Sequence, residues 1–575
     1  MKRPHALLVF IIIVVLGSGL CGGCSPSPTG EKKTGTSPAA QEQEGKKTVK
    51  NVIVLIPDGC SAEQYTLARW FKGKPLALDQ IRVGAIKTYI ADSVVADSAP
   101  AASAFATGCR TSDKFISVGP QNSTLPGVPP PDPSLSYKPL ATVLEGAKLL
   151  GKATGLVVTS RVTHATPAAY YAHVPARRME NDIMEQGVYQ NLDVVLGGGK
   201  RHLLPKESGG KRTDDENLID VLQEWGYSFV ATAEDLQKAN SGKVYGIFAY
   251  SSMEGEIDRP VFGPQQPTLE DMTQKAINLL SRDPEGFFLL VEGSQVDWAC
   301  HAHDPAHLLS DLLMFDRAVQ AALDFAKKDG HTLVLAFSDH NCGGMSIGNY
   351  ATSGSYTQMK LEALLEPLRK MKLSTLGLWR KVGADKTPEN IKAVVREFWG
   401  LDITDEEAKQ ILALAPKYDK DPNYGFGEVI CPKYTYIGWT SHGHTGGDVP
   451  LFAFGPGRPV GLLDGPDMGK TCARALDLNL EQLNARLFQE AAGALPDAQV
   501  TIDKTDPDNP VVKIAFQGKR AELPVNKNLL KLDGKTTPLE GVVVYAPNTG
   551  KAYIPLQAVN LIKDSSAALP AITEN

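Results

Sequence analysis

VIVLIPDG, at residues 52–59, joins five consecutive aliphatic side chains to a turn that carries the carboxylate of Asp58. An apolar run without alternation is typical of a strand that is covered on both faces, as in a parallel sheet. Further runs at 155–159, 193–196, 287–292 and 332–338 alternate with helical segments. This order predicts an α/β fold, a layered sheet flanked by helices, with functional groups at the carboxyl ends of the strands.

The amino-terminal region differs from this pattern in composition. A basic start precedes an apolar segment at 6–20, which predicts a secretory signal peptide over residues 1–24. Cys24 follows two glycines and resembles the lipidation site of a bacterial lipoprotein, so we expect an exported, extracytoplasmic protein with a lipid anchor in the membrane. Ordinary signal cleavage is the alternative. Residues 25–49 are rich in Ser, Pro, Gly, Lys and Glu and predict a flexible linker.

The region from residue 50 to residue 497 is long enough to form one large domain. Amphipathic stretches at 350–435 interrupt its strand-helix rhythm and predict a helical insertion above the sheet. Short strands and turn signals predict a small β-rich module at 498–575. The net charge of -6 provides no basic excess to neutralise a phosphate backbone, which argues against a nucleic-acid partner.

The segment DSAPAASAFATG, at 97–108, places the hydroxyl of Ser98 at the start of a helix of small residues. Exposed N–H groups and the positive end of the helix dipole can receive a phosphate there while the hydroxyl attacks phosphorus. The alternative is a helix N-cap, which the segment taken alone favours. The choice therefore depends on whether other parts of the chain supply groups that activate this hydroxyl.

Carboxylate and imidazole side chains occur together at two later points, and a further imidazole lies at a third. Asp297 and His301 stand four residues apart, so one helical turn can direct both at a single ion. The pair Asp339-His340 follows a predicted strand, and His444 lies in the turn GHTGG. Such ligands suit Zn²⁺ and leave positions open for a substrate. We favour them over thiolate ligands and expect the cysteines to be buried or paired.

Six separated motifs occur in an order that resembles the alkaline phosphatase family over roughly residues 50–495. They are the strand that ends at Asp58, the triplet DSA at 97–99, HATPAA at 164–169 with HVPAR at 173–177, VEG at 291–293 with Asp297 and His301, SDH at 338–340, and GHTG at 443–446. The resemblance implies that residues 50–497 are an alkaline phosphatase-like catalytic domain. It also implies an enzyme that hydrolyses phosphate monoesters through a phosphoserine intermediate.

The resemblance also implies a role for each motif residue. Ser98 matches the nucleophile and Arg177 the arginine that binds the substrate phosphate, with Asp97 in support of either. The implied cofactors are two Zn²⁺ ions and one Mg²⁺ ion, with Co²⁺ as an alternative. The ligands are Asp297, His301 and His444 for the first ion, Asp58, Asp339 and His340 for the second, and Asp58, Thr166 and Glu292 for the third. Relatives are often dimers, so a homodimer is a further expectation.

Two positions depart from the best-known enterobacterial pattern. His164 stands where that pattern has Asp, and Trp298 stands where it has Lys. His164 therefore either lies behind the third metal site or coordinates a metal itself. With Trp298 in place of Lys, the chain lacks a cation that the pattern places near the phosphate. We interpret Trp298 as a packed aromatic side chain or as a contact for a lid. We interpret His442 as a residue behind the ligands or in solvent.

Two other functions remain open on the sequence. A phosphodiesterase of the same superfamily would share the fold, but such enzymes usually lack the third metal site and this arginine. A metal-binding surface lipoprotein without turnover would have no use for a nucleophile. The presence of Thr166, Glu292 and Arg177 favours hydrolysis of monoesters, and Ser98 favours an enzyme.

Overall fold

A mixed sheet of ten strands forms the centre of the computed structural model, which describes residues 48–126, 128–240, 242–565 and 567–573. The predicted signal peptide and Cys24, and the linker up to residue 47, lie outside these ranges. In chain order the strands are β1 (Asn51–Pro57), β2 (Arg82–Lys87), β3 (Ala153–Arg161), β4 (Val194–Gly198), β5 (Ser228–Val230), β6 (Val244–Ile247), β7 (Phe287–Gly293), β8 (Thr332–Phe337), β9 (Val449–Phe454) and β10 (Gly461–Asp464).

The strands lie in the order β10-β2-β9-β8-β1-β7-β3-β4-β6-β5. All neighbouring pairs are parallel except the two that β9 makes with β2 and β8. Strand β1, which the opening run predicts, lies in the middle of the sheet and is fully buried. Its carboxyl end therefore meets the ends of β7 and β8 at one edge.

Helices cover both faces of the sheet. Ile53 and Leu55 of β1 belong to the core on one face, and Val52, Val54 and Ile56 belong to the core on the other. This alternation explains the unbroken apolar run, because both sets of side chains are buried. The first face packs against Ala62–Lys72, Leu269–Leu280 and Pro305–Asp329, and the second against Ser98–Thr107, Val143–Leu149, Glu180–Tyr189 and Gly465–Ala475. The predicted layered α/β fold is confirmed.

Shorter helices connect these layers, and a group of helices follows β8. The connecting helices are Ala165–Ala168, Leu218–Glu224, Ala233–Lys238, Arg259–Phe262, Gln295–His301 and Leu480–Leu487. The helices after β8 are Leu361–Lys370, Thr375–Val382, Pro388–Trp399, Asp405–Leu414 and Tyr424–Tyr434. Trp399 is fully buried among them, and its indole N–H donates to the Leu373 carbonyl at 2.8 Å.

Two pairs of very short strands close the ends of this helical region. His444–Thr445 pairs antiparallel with Asn341–Cys342, and Ile437–Gly438 pairs antiparallel with Ser346–Ile347. The first pair sets His444 directly opposite Cys342, two residues beyond His340. Two segments that are remote in sequence are thereby brought to the same edge of the central sheet.

The carboxyl-terminal region is built from antiparallel strands. Five form one sheet, Gln499–Asp503, Val511–Phe516, Lys519–Pro524, Leu529–Leu532 and Lys535–Pro538. Three form another, Gln489–Glu490, Lys551–Ile554 and Val544–Ala546, with the helices Ala491–Ala494 and Leu556–Ile562 beside it. Val544 and Tyr553 pack into the core of the main sheet, and the described residues form one compact unit.

The cysteines of the described residues are all unpaired, and only Cys109 among them is partly exposed. The expectation of buried cysteines therefore holds for five of the six. Within the same described ranges, no helix combines the length and the apolar character needed to cross a membrane.

Candidate active site and metal centre

Three strand ends bring the predicted carboxylates together. Asp58 follows β1, Glu292 is the penultimate residue of β7, and Asp339 lies two residues beyond the end of β8. The parallel register pairs Ile56 of β1 with Glu292, and the backbone N–H of Asp58 donates to the carbonyl of Gly293 at 3.3 Å. All three carboxylates are fully buried. The carboxyl edge of the sheet is therefore the candidate site, as the order of strands predicts.

Asp297, His301 and His444 form the first candidate metal group. Asp297 and His301 face the same side of the helix Gln295–His301, and the Nε2 atom of His301 lies 3.2 Å from Oδ2 of Asp297. The Nε2 atom of His444 lies 3.3 Å from that of His301 and 3.6 Å from Oδ1 of Asp297. Ligand atoms bound at about 2.0 Å around a tetrahedral Zn²⁺ are separated by similar distances, so the three side chains fit one ion.

Backbone carbonyls fix the orientation of both imidazoles. Nδ1 of His301 donates to the carbonyl of His442 at 2.5 Å, and Nδ1 of His444 donates to the carbonyl of Ala96 at 2.8 Å. A proton held on Nδ1 leaves the Nε2 lone pair available for a cation. The sulfur of Cys342 also lies beside this group, 3.5 Å from the backbone carbonyl of Asp297.

Asp58, Asp339 and His340 form the second candidate group, next to the hydroxyl of Ser98. Nε2 of His340 lies 3.5 Å from Oδ1 of Asp58, 3.2 Å from Oδ2 of Asp339 and 3.1 Å from Oγ of Ser98. Burial lowers the pKa of His340 to about 4, so its imidazole is neutral at pH 7 and able to bind a cation. Ser98 is the first residue of the helix Ser98–Thr107, and Asp97 is its N-cap. The segment does contain a helix N-cap, as the alternative interpretation expects, but the residue at that position is Asp97 and not Ser98.

The third candidate group shares Asp58 with the second group. Asp58, Glu292 and His164 present ligand atoms close enough to share one ion. Thr166 is fully buried in the helix Ala165–Ala168, and its hydroxyl oxygen has no hydrogen-bond partner among the described residues. The same holds for Oε1 of Glu292 and for both carboxylate oxygens of Asp58. Buried polar atoms without partners are unfavourable, so a bound cation is the natural complement to this group.

Burial and mutual repulsion control the charge of these carboxylates. Burial raises the pKa of Asp58 well above its usual range, and the charges of Asp339 and Asp297 raise it further. Burial also raises the pKa of Glu292 to about 7. Burial acts on Asp297 in the same direction, but the adjacent His301 outweighs it and holds the pKa of Asp297 well below its usual range. Ionised carboxylates at these distances require a positive counter-charge, which metal ions would supply.

Arg177 is held at the edge of this site by two side chains. Its Nη1 atom donates to Oδ1 of Asp97 at 2.5 Å, and its Nη2 atom lies 3.0 Å from Nε2 of His164. Burial, and then the charge of Arg177, lower the pKa of His164 to about 3, so a neutral imidazole accepts this hydrogen bond. The ring of Trp298 stands edge-on to His164 with centroids 5.6 Å apart. The structure thus brings the two departures from the family pattern into contact.

A cavity of about 680 Å³ is lined by several of the predicted residues. Ser98, Arg177, His164 and the first metal group all line it. Gln295 and His307 also line it. Further lining residues come from the helical insertion and were not singled out from the sequence: Thr375, Leu376, Lys420, Asp421, Pro422, Asn423 and Tyr424. These residues carry no ligand motif, and only the amphipathic pattern of 350–435, which predicted an insertion above the sheet, pointed to that region.

His442 lies behind the ligands, which is one of the two positions that its interpretation allowed. Its Nδ1 atom lies 2.6 Å from the carbonyl of His301, and its ring stacks on His303 with centroids 3.8 Å apart. Glu428 is 3.3 Å from its Nε2 atom. His442 and His301 therefore exchange hydrogen bonds through each other's backbone, which fixes the first metal group against the helix Tyr424–Tyr434.

A buried serine at a helix start, beside carboxylates and imidazoles at the carboxyl edge of an α/β sheet, defines the class of enzymes that transfer phosphoryl groups with the help of metal ions. The family model for alkaline phosphatase matches residues 49–478. The chain belongs to the alkaline phosphatase family, whose members are phosphoric monoester hydrolases, and the family predicted from the six motifs is confirmed.

Individual relatives agree with this assignment. The chain is 36% identical to alkaline phosphatase 3 of Bacillus subtilis over 470 residues, which cover 78% of this chain and 94% of that protein. It is 33% identical to alkaline phosphatase 4 of the same organism, with 82% and 96% covered. Among solved structures, the alkaline phosphatase of Thermus thermophilus matches with a TM-score of 0.67 and 28% identity, covering 75% of this chain and 91% of that one.

Proposed function

We propose that this chain is an exported, metal-dependent alkaline phosphatase that hydrolyses phosphate monoesters through a phosphoserine on Ser98. One observation carries the proposal: Ser98 Oγ lies 3.1 Å from Nε2 of His340 and shares a cavity with Arg177 and with Asp297, His301 and His444. Ser98 is 1% exposed, so a substrate would reach its hydroxyl through the cavity that it lines.

Each residue has a distinct part in the proposed reaction. The Ser98 oxygen attacks phosphorus, the bond between phosphorus and the alcohol oxygen breaks, and water later releases phosphate from Ser98. The amide groups at the start of the helix Ser98–Thr107 and the guanidinium of Arg177 bind the non-bridging oxygens, whose charge they balance. Asp97 positions Arg177, to which it is already paired. Positioning and charge stabilisation of this kind account for most of the catalysis in phosphoryl transfer.

The ligand groups fit the cofactors implied by the sequence. Two Zn²⁺ ions suit the carboxylate and imidazole sets of the first two groups, and one Mg²⁺ ion suits the oxygen set of Asp58, Thr166 and Glu292. His164 lies close enough to join the third set, so an ion that accepts nitrogen, such as Co²⁺ or Zn²⁺, competes with Mg²⁺ there. When bound, the ions lower the pKa of the serine hydroxyl and neutralise charge on the reacting oxygens.

Location and assembly follow from the sequence. We propose that Cys24 carries a lipid that anchors the mature protein to a membrane on its extracytoplasmic side, with residues 25–49 as a tether and with residues 498–575 as a small β-rich module. In cells that express the full chain, Cys24→Ala is expected to move the protein from the membrane fraction to the soluble extracytoplasmic fraction. Retention of the variant in the membrane fraction would contradict the lipid anchor. Light scattering of the purified protein tests the proposed homodimer.

Substitution of the nucleophile tests the reaction itself. Ser98→Ala is expected to lower kcat for an aryl phosphate monoester by at least about a thousandfold, because the substitution removes the oxygen that attacks phosphorus. Inorganic phosphate should still bind, since the arginine and the ligand groups are retained. Phosphate binding is measured by calorimetry and hydrolysis by release of the chromogenic alcohol. Ser353→Ala, an exposed serine of the helical insertion, is the matched control.

Three results would contradict the proposed function. An unchanged rate in Ser98→Ala would remove Ser98 as the nucleophile. A wild-type preference for the aryl diester over the monoester would replace the proposal by a phosphodiesterase of the same superfamily. Metal binding without hydrolysis of either substrate would favour the non-catalytic metal-binding lipoprotein.

A further inference from the structure

The helical insertion forms the second wall of the cavity in front of Ser98. Leu376 in the helix Thr375–Val382 and the segment 420–424 face the cavity from this side. Ser98, Arg177 and Trp298, which belong to the catalytic body, line the same cavity. A substrate phosphate that reaches Ser98 therefore leaves its alcohol portion in a cavity that the insertion and the catalytic body line together.

Hydrogen bonds tie the insertion wall to the catalytic body. The backbone N–H of Thr375 donates to Oδ2 of Asp304 at 2.6 Å, and the side-chain amide of Asn423 donates to Oγ1 of Thr375 at 3.0 Å. Asp304 is fully buried at the start of the long helix Pro305–Asp329. The two parts of the wall are thus connected to each other and to a helix that packs on the sheet.

The ring of Tyr424 is fixed by a second set of contacts. It lies parallel to the imidazole of His442, with centroids 5.2 Å apart and planes 10° apart. Further along the same helix, a Cβ atom added to Gly427 would lie 1.9 Å from the carbonyl oxygen of Ala302. Only glycine permits this close approach of the helix to the chain that carries His301. The wall is therefore preorganised, which reduces the entropy lost when a ligand binds.

The chemistry of the two walls favours a flat apolar group. Trp298, Leu376, Pro422 and Tyr424 supply aromatic and aliphatic surface, and Leu376 is 39% exposed. Lys420 and its neighbour Asp421 also line the cavity. They carry opposite charges, so this part of the lining has no strong preference for a positively or a negatively charged group. A cavity of about 680 Å³ is far larger than a phosphate group requires and lies in the range of pockets for organic ligands.

We propose that this wall is a leaving-group subsite that selects phosphate monoesters whose alcohol carries a planar ring, as in nucleoside monophosphates. The proposal rests on the proposed function and adds the substrate class. Ring contacts with Tyr424, Leu376 and Trp298 hold the alcohol while Ser98 Oγ bonds to phosphorus. The bond from phosphorus to the alcohol oxygen then breaks, and the departing alcohol takes up a proton from water, which in turn receives the proton that Ser98 Oγ releases.

Adenosine 5′-monophosphate and ribose 5-phosphate test this subsite, because they share the same primary alcohol and differ by the base. The wild-type protein is expected to show a kcat/KM at least about tenfold higher for the nucleotide. Tyr424→Ala and Leu376→Ala should each reduce the ratio of the two kcat/KM values about fivefold, and Tyr424→Phe should retain it. Tyr356→Ala is the control, since Tyr356 is an exposed tyrosine of the same insertion that does not line the cavity.

The ratio separates this subsite from the reaction itself. Because Tyr424 also packs on His442, any disturbance of the metal group in Tyr424→Ala lowers both rates and leaves the ratio unaffected. Leu376→Ala provides a second variant without that contact. A wild-type ratio near one, or a ratio unchanged in both alanine variants, overturns the subsite while leaving the phosphatase intact. Failure of the wild-type protein to hydrolyse either compound would overturn the proposed function as well.

Discussion

Arg177 is the residue whose geometry is most closely tied to phosphate binding. Its guanidinium has one nitrogen on Asp97 and another on His164, and its side chain is 24% exposed at the cavity. These contacts hold the planar group beside Ser98 before any substrate arrives. A lysine could supply the charge but neither the fork of donors nor the simultaneous contacts.

Arg177→Lys is therefore expected to lower kcat/KM for an aryl phosphate by about 10- to 100-fold, as the loss of one or two charge-assisted hydrogen bonds implies. The inhibition constant of inorganic phosphate should rise in parallel. Steady-state kinetics with and without phosphate measure both quantities. Arg178→Lys, an exposed neighbour, is the control. Equal kinetics in the two variants would remove Arg177 from the phosphate site.

At the scale of elements, a network around Glu180 joins the end of β3 to the helix Glu180–Tyr189. The carboxylate accepts hydrogen bonds from Arg161 at 2.6 Å and from Thr163 at 2.7 Å, and His202 lies 3.1 Å away. Burial by itself raises the pKa of Glu180, but His202, Arg161 and Thr163 outweigh it and bring the pKa well below its usual range. The residue thus anchors the segment that leads to Thr166 and Arg177.

Glu180→Gln is expected to destabilise the protein by about 2 kcal/mol at pH 7, because it leaves partly buried cations without their counter-charge. A carboxyl group whose pKa is lower in the folded protein stabilises it above the unfolded pKa of about 4.3, and this stability is lost as the pH falls toward the folded pKa. The difference from wild type should therefore be largest at pH 7 and smaller at about pH 3.5.

Urea unfolding at both pH values measures this difference. Glu234→Gln is the control, because Glu234 forms an exposed pair with Lys238 whose loss should cost less than about 1 kcal/mol. A difference that does not depend on pH would show that Glu180 acts through packing and not through its charge.

The elements that the sequence predicts best are those whose signals are local. The run at 52–59 predicts β1 because its neighbours bury both faces, and the spacing of Asp297 and His301 places them on one side of a helix. The sequence does not decide which residue of the pair Asp97-Ser98 is the N-cap, whereas the structure places Asp97 there and His340 beside the hydroxyl of Ser98. Tyr424 could not be predicted as a cavity residue, since its position depends on stacking against His442 and leaves no periodic signal.

At the scale of the whole molecule, the site consists of groups that repel one another without cations. Removal of metals by EDTA is expected to abolish hydrolysis and to lower the midpoint temperature of unfolding by several degrees. Each ion present at roughly 100 to 1,000 times its Kd stabilises the folded state by about 3–4 kcal/mol. Calorimetry before and after chelation, with metal analysis, measures the change. Addition of Zn²⁺ and Mg²⁺ should restore both properties, and equal midpoints with and without ions would contradict the metal groups.

The groups that would bind these ions lie between residue 58 and residue 444, and they meet only where β1, β7 and β8 end together. No short piece of the chain contains a full set, so an extended polypeptide has no tight affinity for metal. Tight binding of the proposed ions would therefore require the folded chain. If the chain is exported before it folds, as proposed, it would take its ions from the far side of the membrane, and the supply of metal there would determine how much of it becomes active.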